Sequence, residues 1–225
     1  MRHFDEIIAL AARRKGGMAA LEETLAGTKP RRPDEIAALA DDRILAAMTR
    51  CVFQAGFAWK VVDAKWPAFE AAFDGFDPRR CAAMNEERFD ALLKDTSIIR
   101  NAAKIRSVEV NGRLLVDLAA KHRSAARFFA DWPDDDYVGL IEVLKQHANR
   151  LGGEAGMRFL RTIGKPAFIT TRDVVAALIR EEVLTREPTG KRDLAAIQAA
   201  FNAWSSQSGR DLTALSRILA MSVGL

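Results

Sequence analysis

The chain has 225 residues, 49% hydrophobic and 28% charged, enough to bury a sizeable core in one domain or in two lobes sharing one. No apolar run approaches the roughly 20 residues of a membrane span, and the opening MRHFDEIIALAARRK carries Asp5 and Glu6 inside its apolar region, so it reads as neither signal peptide nor anchor and a cytoplasmic protein is expected. A net charge of +4 is too mild to assign a partner by itself, while two cysteines and three histidines without ligand spacing argue against a disulfide framework and predict no metal and no cofactor.

Taken in order, the chain predicts helix after helix. Apolar residues recur at spacings of three and four, as in Ile7, Ile8, Leu10 and Ala11. The first thirty residues read as a helix, a break at Gly16-Gly17 and a second helix stopping at Gly27. A basic, proline-bearing connector, TKPRRPDE, precedes a helix containing Ile44 to Phe53. Asp77-Pro78 and the run Trp132-Pro133-Asp134-Asp135-Asp136 mark turns, each followed by a helical pattern. Between them, Val108 to Val116 is interrupted by Asn111-Gly112 and could pass for a hairpin of strands. The wider segment IIRNAAKIRSVEVNGRLLVDLAAKH keeps helical spacing, which predicts one long or broken helix. Thr189 is placed to cap the helix of Leu194 to Trp204, and Asp211 the last one.

The stretch from Asn149 to Val175 concentrates the chemistry. Gly152, Gly153 and Gly156 let the backbone turn tightly and bring bare N–H groups near an anion. Around them the charge is one-sided: from Glu142 to Arg172, six basic residues (Lys145, Arg150, Arg158, Arg161, Lys165, Arg172) face two acids, a pattern suited to phosphate. Asp173 follows Gly153 by twenty residues and opens another helix. Two readings stand for this start: Thr171 or Asp173 caps the helix, or Asp173 supplies a carboxylate to a reaction. The glycine turn likewise reads either as a phosphate grip or as a plain turn between helices.

As a hairpin between two helices, this stretch resembles the helix-hairpin-helix superfamily of DNA glycosylases. That resemblance implies that Leu151, Gly152, Gly153, Ala155 and Gly156, with Arg158 and Lys165, hold the DNA backbone, and that Asp173 is the catalytic residue. Between Ile44 and Leu115 the chain resembles a second, more specific group, the DNA 3-methyladenine glycosylase I family. The motifs that carry the likeness are QAGFAW at Gln54 to Trp59, FDGFDP at Phe73 to Pro78, AAMNEE at Ala82 to Glu87 and IIRNAAKI at Ile98 to Ile105. By this resemblance Trp59 stacks on a flipped base and Gln54 reads its edge, with Phe53, Cys51 and Gly56 completing the pocket. From periodicity alone, Trp59 and Trp66 read equally as core aromatics. The chain also departs from the family. Cys51 stands where the family has its pocket glutamate, and the ending SRILAMSVGL lacks the cysteine and histidine of its zinc site.

The expected fold is therefore all-α, a two-lobed helical helix-hairpin-helix DNA glycosylase. It forms a single domain over 1–225, with 1–40 as a helical extension, 41–130 as the base-pocket lobe and 131–225 as the lobe carrying the hairpin near 148–160. The expected activity is hydrolysis of a damaged, alkylated purine from DNA without a lyase step. The rival is a catalytically inactive DNA-binding protein. The expected partner is double-stranded DNA containing a damaged base, with no membrane and a monomer sufficient for one lesion in one pocket.

Overall fold

The structure, a computed structural model, describes residues 1–223. Among them lie fifteen α-helices and no strand: α1 (Phe4–Lys15), α2 (Met18–Ala26), α3 (Pro33–Ala37), α4 (Asp41–Gln54), α5 (Trp59–Ala64), α6 (Trp66–Ala72), α7 (Pro78–Ala82), α8 (Glu86–Lys94), α9 (Ala102–His122), α10 (Ala125–Asp131), α11 (Tyr137–His147), α12 (Glu154–Thr162), α13 (Arg172–Arg180), α14 (Lys191–Ser208) and α15 (Leu212–Ser222). The all-α expectation holds. No helix among the described residues is long and apolar enough to cross a membrane.

Local chemistry sets most boundaries. α1 carries acids in its first turn and bases in its last, complementing the helix dipole, and stops where Gly16 adopts φ 90 and donates its N–H to the Ala12 carbonyl. Asp211 caps α15 as the sequence indicates, accepting from Thr213 and Ala214 N–H at 2.8 and 2.9 Å. At α14 the expectation fails: Gly190 holds the cap position without a side chain, and Asp193 reaches back to accept the Thr189 N–H at 2.8 Å. The Asp193 carboxylate ties the Thr189 N–H back to the first turn of the helix, a different bond from the threonine cap expected.

The chain sorts into two compact units whose borders differ from the expected lobes. One comprises Met1–Arg31, Pro133–Leu140 and Pro166 onward; the other comprises Arg32–Trp132 and Ile141–Lys165. Of the helical extension expected over 1–40, residues 1–31 group with the carboxy-terminal helices: α1 packs along α15 and against α14, with the Trp204 indole donating to the Arg2 carbonyl at 3.2 Å. Residues 141–165, expected in the 131–225 lobe, group with 32–132 because α12 packs on α4.

In this second unit the 21-residue α9 is the central strut, lying against α4, α7, α8 and α10. Asn111-Gly112 is helical within it. Gly112 is required by close packing, since a β-carbon there would sit 3.0 Å from the Pro78 carbonyl oxygen and 3.1 Å from the Ala82 nitrogen. In the first unit the aromatic core joins Tyr137, Phe168, Phe201 and Trp204, successive ring centroids being 4.6, 4.4 and 5.8 Å apart.

Candidate functional site

A pocket of about 270 Å³ opens in the second unit between the end of α4 and the start of α12. Cys51, Gln54, Ala55, Gly56 and Trp59 form one wall; Glu154, Ala155 and Arg158 form the other. The sequence motif QAGFAW and the helix after the glycine turn, about a hundred residues apart, meet here.

Each wall is pinned by α9. Lys104, buried in the first turn of that helix, donates from Nζ to the Phe53 and Ala55 carbonyls at 3.1 and 2.8 Å, closing off the last turn of α4 just before Gly56. Burial, with help from the Arg150 charge, lowers its pKa. Seven residues on, two turns along the same face, Asn111 accepts the Asn149 N–H at 2.7 Å and donates to the Asn149 carbonyl at 3.2 Å. One helix thus fixes both the motif loop and the entrance to the glycine turn. Lys104 lies in the motif IIRNAAKI, which in the sequence serves only as a mark of resemblance, and Asn111 lies in no motif; neither was read there as an anchor.

On the motif wall, Gly56 turns with φ 68, a conformation glycine adopts freely. Trp59 then begins α5 with 49% of its surface exposed. Gln54 is half-buried and donates its amide to Asp63 Oδ1 at 3.3 Å, an atom that also accepts from Arg50 at 2.8 Å. Cys51 lies 3.8 Å from the Thr162 hydroxyl, and burial raises its thiol pKa, so it is a protonated wall residue rather than a nucleophile. Phe53, expected in the pocket, is not there: it points the other way around α4, fully buried with its ring 4.6 Å from Phe69.

On the opposite wall, Arg150 has φ 64 and Gly153 φ 70, two left-handed residues that make the turn. Gly152 and Gly153 are exposed, whereas Leu151 is buried as its apolar anchor. Gly156 is obligatory, because a β-carbon there would run into the Leu151 carbonyl oxygen. No side chain caps α12, so its first-turn amides keep their N–H groups for an outside acceptor. Glu154 and Arg158, one turn apart, form an ion pair, and the Arg158 guanidinium lies 5.2 Å from the Trp59 ring centroid. Lys165 is a correction. It is 3% exposed, and its ammonium donates to the Trp132 carbonyl, so it is a buried cross-link and unavailable to phosphate. The exposed basic residues beside the turn are Lys145 and Arg150. Glu154 and Ala55 escaped the sequence reading; the four-residue spacing of Glu154 and Arg158 signalled an ion pair, but not a pocket.

In the first unit, Asp173 is the second residue of α13 and half-buried. The two capping readings resolve: Thr171 Oγ1 accepts the Val174 N–H at 3.4 Å. The Asp173 carboxylate makes no hydrogen bond or ion pair among the described residues.

Residues 37–147 match the family model described as methyladenine glycosylase. DNA-3-methyladenine glycosylase 1 of Escherichia coli (strain K12) is 38% identical over 65 residues, 29% of this chain and 35% of that protein, so the likeness spans about a third of the curated relative. A mutant of 3-methyladenine DNA glycosylase I from Staphylococcus aureus aligns with TM-score 0.50 at 20% identity over 55% of this chain and 77% of that one. A Methanocaldococcus jannaschii 8-oxoguanine glycosylase/lyase in complex with DNA containing 8-oxoguanine aligns with TM-score 0.53 at 13% identity over 95% of both chains. At these identities the two structures speak to the fold, which is that of the helical DNA glycosylases.

Proposed function

We infer that this chain, related through residues 37–147 to the methyladenine glycosylases, is a monofunctional DNA N-glycosylase that hydrolyses an alkylated purine from duplex DNA in base-excision repair. The observation that carries the reading is the pocket that joins Gln54, Gly56 and the exposed face of Trp59 to the uncapped start of α12.

A base inside a duplex is out of reach of any side chain, so it must be extruded, at a cost of a few kcal/mol that is least for a damaged base. An N-alkylated purine nucleoside is cationic and electron-poor, and an indole face attracts it. The Gln54 amide can donate to and accept from the base edge, and Gly56 lets the backbone approach closely. The free amides of α12, with Gly152, Gly153, Lys145 and Arg150, suit a phosphate of the opened strand. Asp173, uncommitted to a cap or an ion pair, stabilises the oxocarbenium character of the departing sugar and orients the attacking water. Lys104 and Lys165 are both buried and bonded to carbonyls, which favours water over an amine as nucleophile. A monomer acting on double-stranded DNA in the cytoplasm suffices.

Duplexes carrying N3-methyladenine or N7-methylguanine test the reading. Wild type should release the base, and Asp173→Asn should slow release about 10²- to 10⁴-fold while DNA binding persists. Absence of release from every alkylated duplex overturns the enzyme reading, and salt-dependent binding without release would leave a DNA-binding protein. Full activity in Asp173→Asn removes only that residue's role.

A further inference from the structure

The face of Trp59 already holds a cation. Arg158 lies over the ring at 5.2 Å, within the range where the aromatic quadrupole attracts positive charge. One helical turn earlier, the Glu154 carboxylate accepts from Arg158 Nε at 2.9 Å. Both side chains line the pocket with Trp59, Glu154 as its acid and Arg158 as its base. The nearest carboxylate behind Gln54, Asp63, is already taken by Arg50 and by Gln54 itself. A guanidinium and an N-alkylated purine share two properties, planarity and delocalised positive charge. Both are held by the same pair of groups, an aromatic face and an acid at the edge.

We propose that Trp59 and Glu154 form a cation seat that selects positively charged purines, occupied by Arg158 until an incoming base displaces it. The proposal rests on the pocket being a base pocket. The exchange keeps charge balanced: one cation leaves the Glu154 carboxylate as another arrives, and no charge is left unpaired in the pocket. A neutral purine brings no positive charge to replace Arg158 beside Glu154 and gains less from the indole face, so it competes poorly for the same place. Discrimination then comes from the competition with Arg158 as well as from contact with the base. Arg158, once displaced, stays on the exposed side of α12, beside the turn that is suited to phosphate.

Binding to the full-length protein separates this seat from the chemistry. The probes are 7-methylguanosine, at mildly acidic pH where its ring is a full cation, and guanosine. Wild type should favour the cation by about tenfold or more. Glu154→Gln should abolish that preference, whereas Arg158→Met should tighten cation binding several-fold by removing the resident competitor. Opposite signs from the two halves of one ion pair are the signature of a seat. An ion pair that merely braces α12 would shift both variants the same way. Because an exposed pair one turn apart contributes little stability, both variants should keep the wild-type thermal midpoint. No preference in wild type, whether from equal binding or from none, overturns the seat, as do variants that move together. Base release from alkylated DNA is measured separately. Release without preference sinks the seat and spares the enzyme, while preference without release does the reverse.

Discussion

Trp59 and Trp66 lie seven residues apart on consecutive short helices and meet opposite fates. Trp66 stacks on Phe76 and Phe69 with centroids 5.3 and 5.6 Å away, Phe73 extends the pile, and its indole N–H donates to Glu70 at 3.0 Å. Trp59 is about half exposed and touches no other ring among the described residues; what lies on its face is Arg158, brought in from α12. The positions 66, 69, 73 and 76 put four rings on one face of a helical path, so the segment supplies its own core. Around Trp59, the positions three and four away are Ala55, Gly56, Val62 and Asp63, and no ring is available to cover it. Residue identity does not distinguish the two indoles; what packs on each does, an aromatic pile on Trp66 and a guanidinium on Trp59.

The largest expected effect is on the stacked side. Phe69→Ala should cost about 3–5 kcal/mol of stability, read as a lower denaturant midpoint, with base release per folded molecule preserved. A loss of activity without a loss of stability would erase the distinction between the two regions. Next comes the open side: Trp59→Ala should leave the unfolding curve nearly unmoved and slow base release about tenfold to hundredfold, the size of one lost base stack. Equal destabilisation by the two substitutions would mean that Trp59 belongs to the core after all.

The smallest effect is a pH dependence. Arg43 holds Glu70 by two hydrogen bonds of 2.8 and 3.0 Å, and with the Trp66 indole this draws the Glu70 pKa below the usual carboxylate value. A folded pKa below the unfolded one stabilises the protein above the ordinary carboxylate range, and the gain disappears as pH falls through the depressed value. Glu70→Gln should therefore be slightly less stable than wild type at neutral pH, and the two should converge below about pH 4. A gap that widens in acid would contradict the pairing.

Much of the site was legible because it is local. QAGFAW sets the motif wall, since a glycine turn followed by a tryptophan at a helix start needs only neighbouring residues to specify it. Asp211 was legible as a cap for the same reason. The misreadings involve distance or direction. Phe53 sits two residues from Cys51 in sequence but faces the core, because two residues on a helix differ by about 200° of rotation. Lys165 looked like a phosphate contact until folding buried it against the Trp132 carbonyl. Thr171 and Asp173 were interchangeable as caps in sequence; the backbone selected the threonine hydroxyl and left the carboxylate uncommitted.

By itself the sequence determined an all-helical chain, several of its helix ends, the glycine turn of QAGFAW and the resemblance to methyladenine glycosylases that its motifs carry. The helices, their caps and the turn follow from contacts within about one helical turn. Only the tertiary structure decided that Glu154 and Arg158 face Trp59, and that Lys104 and Asn111 on one helix hold both pocket walls. Those partners are separated by tens of residues, and it is the packing of α12 on α4 and of α4 on α9 that brings them within reach.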